Sequence, residues 1–171
     1  SPLQKLQYAA IGVGGRGAAD INSMSGHKKV QMVVAADVDS GECKKLTAKK
    51  AGVKTFSDWR EMFQTMDKGI DIISVSTPDH MHGIMAMSAM NLGKHVYVQK
   101  PLAQTVGECR AMREAAHQNK VIVQMGTQGA SSFNDRTAVD WVQRKLIGKV
   151  TEAWVFCGKS WGDSKPLPDH G

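Results

Sequence analysis

Gly12-Val13-Gly14-Gly15-Arg16-Gly17 is the stretch on which the fold turns. It stands between an apolar run, Leu6 to Val13, and a segment from Gly15 to Met24 that carries Ala18, Ile21 and Met24 along one helical side. Small residues are required where a strand turns sharply into a helix. Gly12 permits the tight turn, Gly14 lets a phosphate approach the backbone, and Gly17 lets helix and strand pack closely. The free N–H groups and the positive dipole end that open the helix then favour an anion in the turn. A lone GxGxxG also occurs in plain flexible turns, so its place between strand and helix carries the reading.

The next strand, Val30 to Ala36, is an apolar run broken only by Gln31, as expected for a strand covered on both faces. Asp37 follows it, 25 positions after Gly12, where a dinucleotide fold places the acid that accepts the adenosine ribose hydroxyls. The usual spacing is about 20, and the segment around His27-Lys28-Lys29 absorbs the excess. A carboxylate there repels a 2′-phosphate, so the expectation is NAD rather than NADP. Asp39, with Glu42 three residues on, reads as a helix cap instead.

Strand and helix continue to alternate along the chain. Val53 to Phe56 is a short strand, and Ser57 is placed to cap a helix running to about Met66. Asp67-Lys68-Gly69 is a turn, Ile70 to Ser76 a buried strand stopped by Thr77-Pro78, and a Met- and Ala-rich helix follows to Asn91. The Met stripe reads as packing. His95 to Gln99 is the fifth strand and Val121 to Met125 the sixth, with a Thr105/Glu108 capping box opening the helix between them. Such alternation, with no hairpin signal, predicts an α/β Rossmann fold, a doubly wound parallel sheet whose ligand edge lies at the strand C-termini. The expected domain spans 5–128. From 129 to 171 a helix over Asn134–Ile147, a strand over Val150–Cys157 and a Pro-rich tail read as the start of a truncated α+β C-terminal domain. A terminal extension packed back on the first domain is the alternative.

Two further clusters leave this sheet edge. Thr77, in Ser76-Thr77-Pro78-Asp79-His80-Met81-His82, is suited to hold the nicotinamide ribose side, and His82 to point toward the cofactor. His80 and His82 lack a third ligand at zinc spacing, so no metal is expected. In Tyr97-Val98-Gln99-Lys100-Pro101, the Lys100 ammonium exits on the same edge and is the candidate to polarise a substrate oxygen as hydride moves. Arg16 reads as a phosphate or solvent contact.

Composition narrows the classes. A net charge of +6 is spread over helix faces without a basic stripe interleaved with aromatics, so no nucleic-acid partner is expected. No apolar run is long enough to span a bilayer, so no membrane partner is expected either. Cys43, Cys109 and Cys157 are scattered, odd in number and in no CxxC spacing, which favours reduced thiols in the cytoplasm. An exported or periplasmic location is the alternative if an upstream signal was removed, since Ser1 is not an initiator.

The ordered set of Ile11 to Gly17, Val34 to Asp39, Thr77-Pro78 with His82, Gly93-Lys94-His95-Val96 leading into Lys100-Pro101-Leu102, and Gln124 to Gln128 resembles the Gfo/Idh/MocA oxidoreductases. The resemblance implies that Gly12, Gly14, Gly15, Arg16 and Gly17 line the pyrophosphate and that Asp37 takes the ribose. It further implies that Ser76, Thr77, Pro78, His82, Gln99, Pro101 and Gln128 lie along the cofactor. Lys100 becomes the lysine of the family's Glu-Lys-Pro motif, with Gln99 standing where that motif has Glu. The implied activity is NAD-dependent hydride transfer to or from a ring hydroxyl of a sugar, cyclitol or related compound, in a homo-oligomer when the protein is full-length. The alternatives are an NAD-retaining glycoside-cleaving or epimerising enzyme and a non-catalytic nucleotide- or sugar-binding module.

Overall fold

The computed structural model describes residues 5–156. Strands β1 (Leu6–Ile11), β2 (Val30–Ala36), β3 (Lys54–Phe56), β4 (Ile72–Val75), β5 (His95–Gln99) and β6 (Val123–Gly126) alternate with helices α1 (Gly15–Ser25), α2 (Ser40–Lys49), α3 (Trp59–Met66), α4 (His82–Asn91) and α5 (Val106–Asn119). The six strands form one parallel sheet in the order β3-β2-β1-β4-β5-β6. The chain winds outward from β1 through β2 to β3, then returns to the other side of β1 as β4. The crevice beyond the C-termini of β1 and β4 is therefore the topological switch point, where open α/β sheets take their ligands.

The sheet is covered on both faces, and the period of two decides which side chain goes where. Ala9 and Ile11 of β1 join Val34, Ala36, Ile73, Val75, Val96 and Val98 on one face, beneath Met62, Phe63, Ala86, Met90 and Met112 from α3, α4 and α5. Tyr8 and Ala10 point the other way with Ala35, under Ile21 and Leu46 from α1 and α2. The Met-rich segment thus fills the core, with Met85 and Met90 both buried. A register shift between Tyr8 and Ala9 inserts Val33 as an extra residue in β2. It supplies part of the long interval from Gly12 to Asp37.

Helix starts are set by local side-chain bonds. Thr105 and Glu108 form the reciprocal capping box of α5. At α2 only half of the expected box forms: Asp39 accepts the Gly41 and Glu42 amides, while the Glu42 carboxylate pairs with Lys45. Asp58, not Ser57, caps α3, accepting the Arg60 amide at 2.8 Å. A carboxylate is the better acceptor at a positive helix end, and Arg60 bonded to it holds the Asp58 carboxyl below its ordinary range.

By its internal contacts the chain divides between Thr127 and Gln128. In the second unit, α6 (Phe133–Gln143) begins behind a Ser132 cap and has no buried residue. It ends short of the expected Ile147. Lys145 takes a left-handed φ of 57°, and the Leu146 and Lys145 amides bond back to the carbonyls of Trp141 and Val142. That is a Schellman closure placed before Gly148 rather than at it. The expected strand over Val150–Cys157 is also corrected: residues 150–156 carry no strand. Strand-forming residues are not enough when no neighbouring strand pairs their backbone groups. Cys157 and the Pro-rich tail lie outside the described residues.

Candidate dinucleotide site

Three strand exits meet at the switch point, and main-chain bonds align them. The Gly12 amide bonds to the Ala36 carbonyl at 2.9 Å, the Ser76 amide to that of Ile11 at 2.8 Å, and the Asp37 amide to that of Phe56 at 3.1 Å. Gly12 turns with φ +83°, and a Cβ added there would lie 2.5 Å from the Ser76 carbonyl oxygen. A Cβ on Gly17 would lie 2.1 Å from the Gly12 carbonyl oxygen. Both glycines are thus required by contact, and together they let α1 open directly beneath the turn. No side chain caps α1. Its opening amides remain available to an anionic group at a positive helix end.

Asp37 joins this turn across the sheet. Its Oδ2 accepts the Val13 amide at 2.7 Å, and its Oδ1 accepts the Asp39 amide at 2.9 Å. The carboxylate is thereby fixed at the end of β2, facing the glycine turn. Each oxygen keeps capacity for a further donor, as a carboxylate has about four acceptor sites. Around them opens a cavity of about 660 Å3, whose lining includes Gly12, Gly14, Asp37, Trp59, Thr77 and Met85. Asp39, Glu42 and Asp58 line it too, against a single Arg60, which is itself paired with Asp58 at 2.8 Å. Glu42 is likewise paired, with Lys45, so the carboxylates that oppose an additional phosphate here are those of Asp37 and Asp39.

The remaining residues singled out by sequence take distinct places. Thr77 and Pro78 line the cavity. Gly15 and Arg16 are exposed at the start of α1, and Lys100 and Pro101 are exposed beyond β5. His82 is buried, with Nδ1 2.6 Å from the Pro101 carbonyl and Nε2 2.8 Å from the Thr77 carbonyl. Its ring braces the exits of β4 and β5 from within. Gln99 is also turned inward at 5% exposure. Its amide and the Ser76 hydroxyl both reach Asp20. Gln128 falls in the second unit, where its carbonyl accepts the Ser131 amide.

Several residues of the site were missed by sequence reasoning. Val38, Glu42, Trp59, Arg60 and Met81 line the cavity. Nothing in their local pattern marks them, because they reach the cavity only through the strand order. Asp20 had a readable signal: an acid among the apolar positions of α1. Among the described residues no cluster of three His, Cys, Asp or Glu could hold a metal, and no helix is long and apolar enough to cross a membrane.

Comparison with known proteins agrees with this geometry. Residues 6–127 match the model of an oxidoreductase family described by its NAD-binding Rossmann fold. The chain is 30% identical to a glycosyl hydrolase family 109 protein of Solibacter usitatus, over 88% of this chain and 36% of the relative. It is 28% identical to an inositol 2-dehydrogenase of Salmonella typhimurium, over 96% of this chain and 48% of the relative. A crystal structure of myo-inositol 2-dehydrogenase from Lactobacillus plantarum superposes with a TM-score of 0.78 at 26% identity, covering 86% of this chain and 43% of that one. The chain therefore spans between about a third and a half of the curated relatives' length.

Proposed function

The chain belongs to the Gfo/Idh/MocA oxidoreductase family through its NAD-binding Rossmann domain, and from that premise we propose that it binds NAD and serves hydride transfer at a ring hydroxyl of a sugar or cyclitol. The observation that carries the reading is the Asp37 carboxylate bonded to the Val13 amide at 2.7 Å, inside the glycine turn itself. One group thus organises the phosphate turn and presents an acceptor to the adjoining ribose. The fit is physical: the Gly12 and Gly17 contacts leave no room for side chains, and the uncapped opening of α1 offers its amides to a diphosphate. When bound, NAD supplies the hydride acceptor. Gly12, Gly14, Gly15, Arg16 and Gly17 hold the diphosphate side, and Asp37 the adenosine ribose. Thr77, Pro78 and the end of β5 lie toward the nicotinamide side. Asp39 adds to the preference for NAD over NADP.

Lys100 is the catalytic residue in this reading. Its ammonium stands at the exit of β5 and stabilises negative charge on the substrate oxygen as the hydride leaves the adjoining carbon for NAD and the hydroxyl proton passes to water. The nucleotide domain ends at Thr127, one residue short of the expected 128, and α6 belongs to a second domain that carries the substrate pocket and the contacts of a homo-oligomer. The free thiols of Cys43 and Cys109 support a cytoplasmic location. The test uses the longer protein, a panel of cyclitols and aldoses, and added NAD. NADH accumulating with at least one of them is expected, with Lys100→Met lowering that rate about 10²–10⁴-fold while NAD affinity holds. No NADH with any ring polyol, or full activity in Lys100→Met, overturns the reading.

Similarity to the family 109 glycosyl hydrolase supports a second reading, in which the hydride returns within each turnover and a glycoside is cleaved. Conversion of glycosides with no net NADH decides for it.

A further inference from the structure

Asp20 lies on the buried side of α1, 7% exposed. A carboxylate at that depth is costly unless hydrogen bonds satisfy it. Its Oδ2 accepts the Ser76 hydroxyl at 2.8 Å and the Gln99 Nε2 at 2.7 Å. Ser76 is the first residue beyond β4, and Gln99 is the last residue of β5. One oxygen carried by the glycine-turn helix therefore ties two neighbouring strand exits together.

Gln99 is the complementary partner. Its NH2 donates, whereas an ionised Glu only accepts. A Glu at 99 would bring two carboxylates within hydrogen-bond distance, and only one of them could ionise readily. The amide at 99 and the buried acid at 20 are thus two halves of one feature, with the charge carried on α1 instead of β5. His82 forms a second brace between the same exits, through the Thr77 and Pro101 carbonyls. Thr77 and Lys100 directly follow the two residues that Asp20 holds.

We propose that Asp20, matched to Gln99, is a positioning residue that fixes the β4 and β5 exits on which the nicotinamide end of the cofactor is held. The inference rests on the NAD reading above. Asp20 acts through Ser76 and Gln99, so its influence falls on one half of the nucleotide. ADP-ribose, which has the adenosine and diphosphate but no nicotinamide, separates the halves.

The experiment measures affinity for NAD and for ADP-ribose, with melting temperature, in Gln99→Glu, Asp20→Ala and the double variant Asp20→Asn/Gln99→Glu. The double variant keeps both side-chain lengths and moves the carboxylate from α1 to β5. Gln99→Glu is expected to weaken NAD at least tenfold while ADP-ribose stays within threefold. The double variant is expected to recover NAD affinity to within threefold of the unaltered chain. If Gln99→Glu does not fold, Asp20→Ala carries the test with the same split between the two ligands. NAD and ADP-ribose weakening together, a double variant no better than Gln99→Glu, or unchanged NAD affinity in folded Asp20→Ala each overturns the assignment. Failure of both ligands to bind the unaltered chain would instead strike the NAD reading itself.

Discussion

Replacing Asp37 with Ala removes the one carboxylate that bonds the glycine turn and faces the ribose position. In the NAD reading, two ribose hydroxyls donate to it. Hydrogen bonds to a charged group contribute about 1.5–3 kcal/mol each. Both Asp37 oxygens already accept a backbone amide, at 2.7 Å and 2.9 Å, so the lower figure applies to each. The expected loss is about 3 kcal/mol, or roughly 150-fold in Kd at 1.4 kcal/mol per tenfold. NADP responds differently. Its 2′-phosphate would sit beside Asp37, where unit charges about 4 Å apart repel by about 4 kcal/mol at an effective dielectric near 20. Removing Asp37 takes away a repulsion as well as an attraction, while Asp39 and Glu42 still line the cavity. Calorimetry should therefore show NAD weakened about 150-fold and NADP changed little, so that the preference collapses. The Val13 amide, at a residue only 3% exposed, is left without its acceptor. The variant should accordingly also lose about 1–3 kcal/mol of stability on thermal unfolding. An NAD Kd within threefold of the unaltered chain, in a folded Asp37→Ala variant, would refute the assignment.

Glycine substitutions should separate shape from binding. Gly17→Ala drives its methyl into the Gly12 carbonyl, a backbone group that cannot swing aside, and should destabilise the domain by about 3 kcal/mol or more on thermal unfolding. Gly14→Ala meets first the flexible Glu42 side chain, at 3.1 Å. It should leave the melting temperature nearly unchanged while calorimetry shows weaker NAD binding, because the methyl stands where the diphosphate approaches. Thr105→Ala breaks the capping box of α5 and should cost about 1 kcal/mol in denaturant unfolding, with NAD affinity unaltered.

The sheet was legible because its signals are local and agree with one another. Val30–Ala36 and His95–Gln99 are read with their observed bounds, since largely apolar stretches flanked by turn residues mark where each strand begins and ends. The glycine turn and Asp37 were legible because each needs a particular residue type at a particular exit. Elements whose form depends on a partner were less so. Among the described residues no strand pairs with the stretch from Val150, and α6 ends at Gln143, closed by main-chain bonds from Lys145 and Leu146 that no side chain announces. The cap of α3 moved from Ser57 to Asp58, a choice between adjacent acceptors that only the chain's path decides. Gln99 stood out from the sequence as an unexplained departure. Its partner is 79 residues away on another element, and only the folded sheet brings Asp20 to it.

The central claim is that the amides opening α1 hold a diphosphate while Asp37 holds the adjoining ribose. A crystal structure of the chain grown with NAD tests it most directly. The account requires diphosphate oxygens within about 3.2 Å of main-chain N–H groups in the Gly14–Gly17 stretch, and ribose hydroxyls on the Asp37 carboxylate. A nucleotide bound at the opposite edge of the sheet, with those amides and Asp37 untouched, would contradict it.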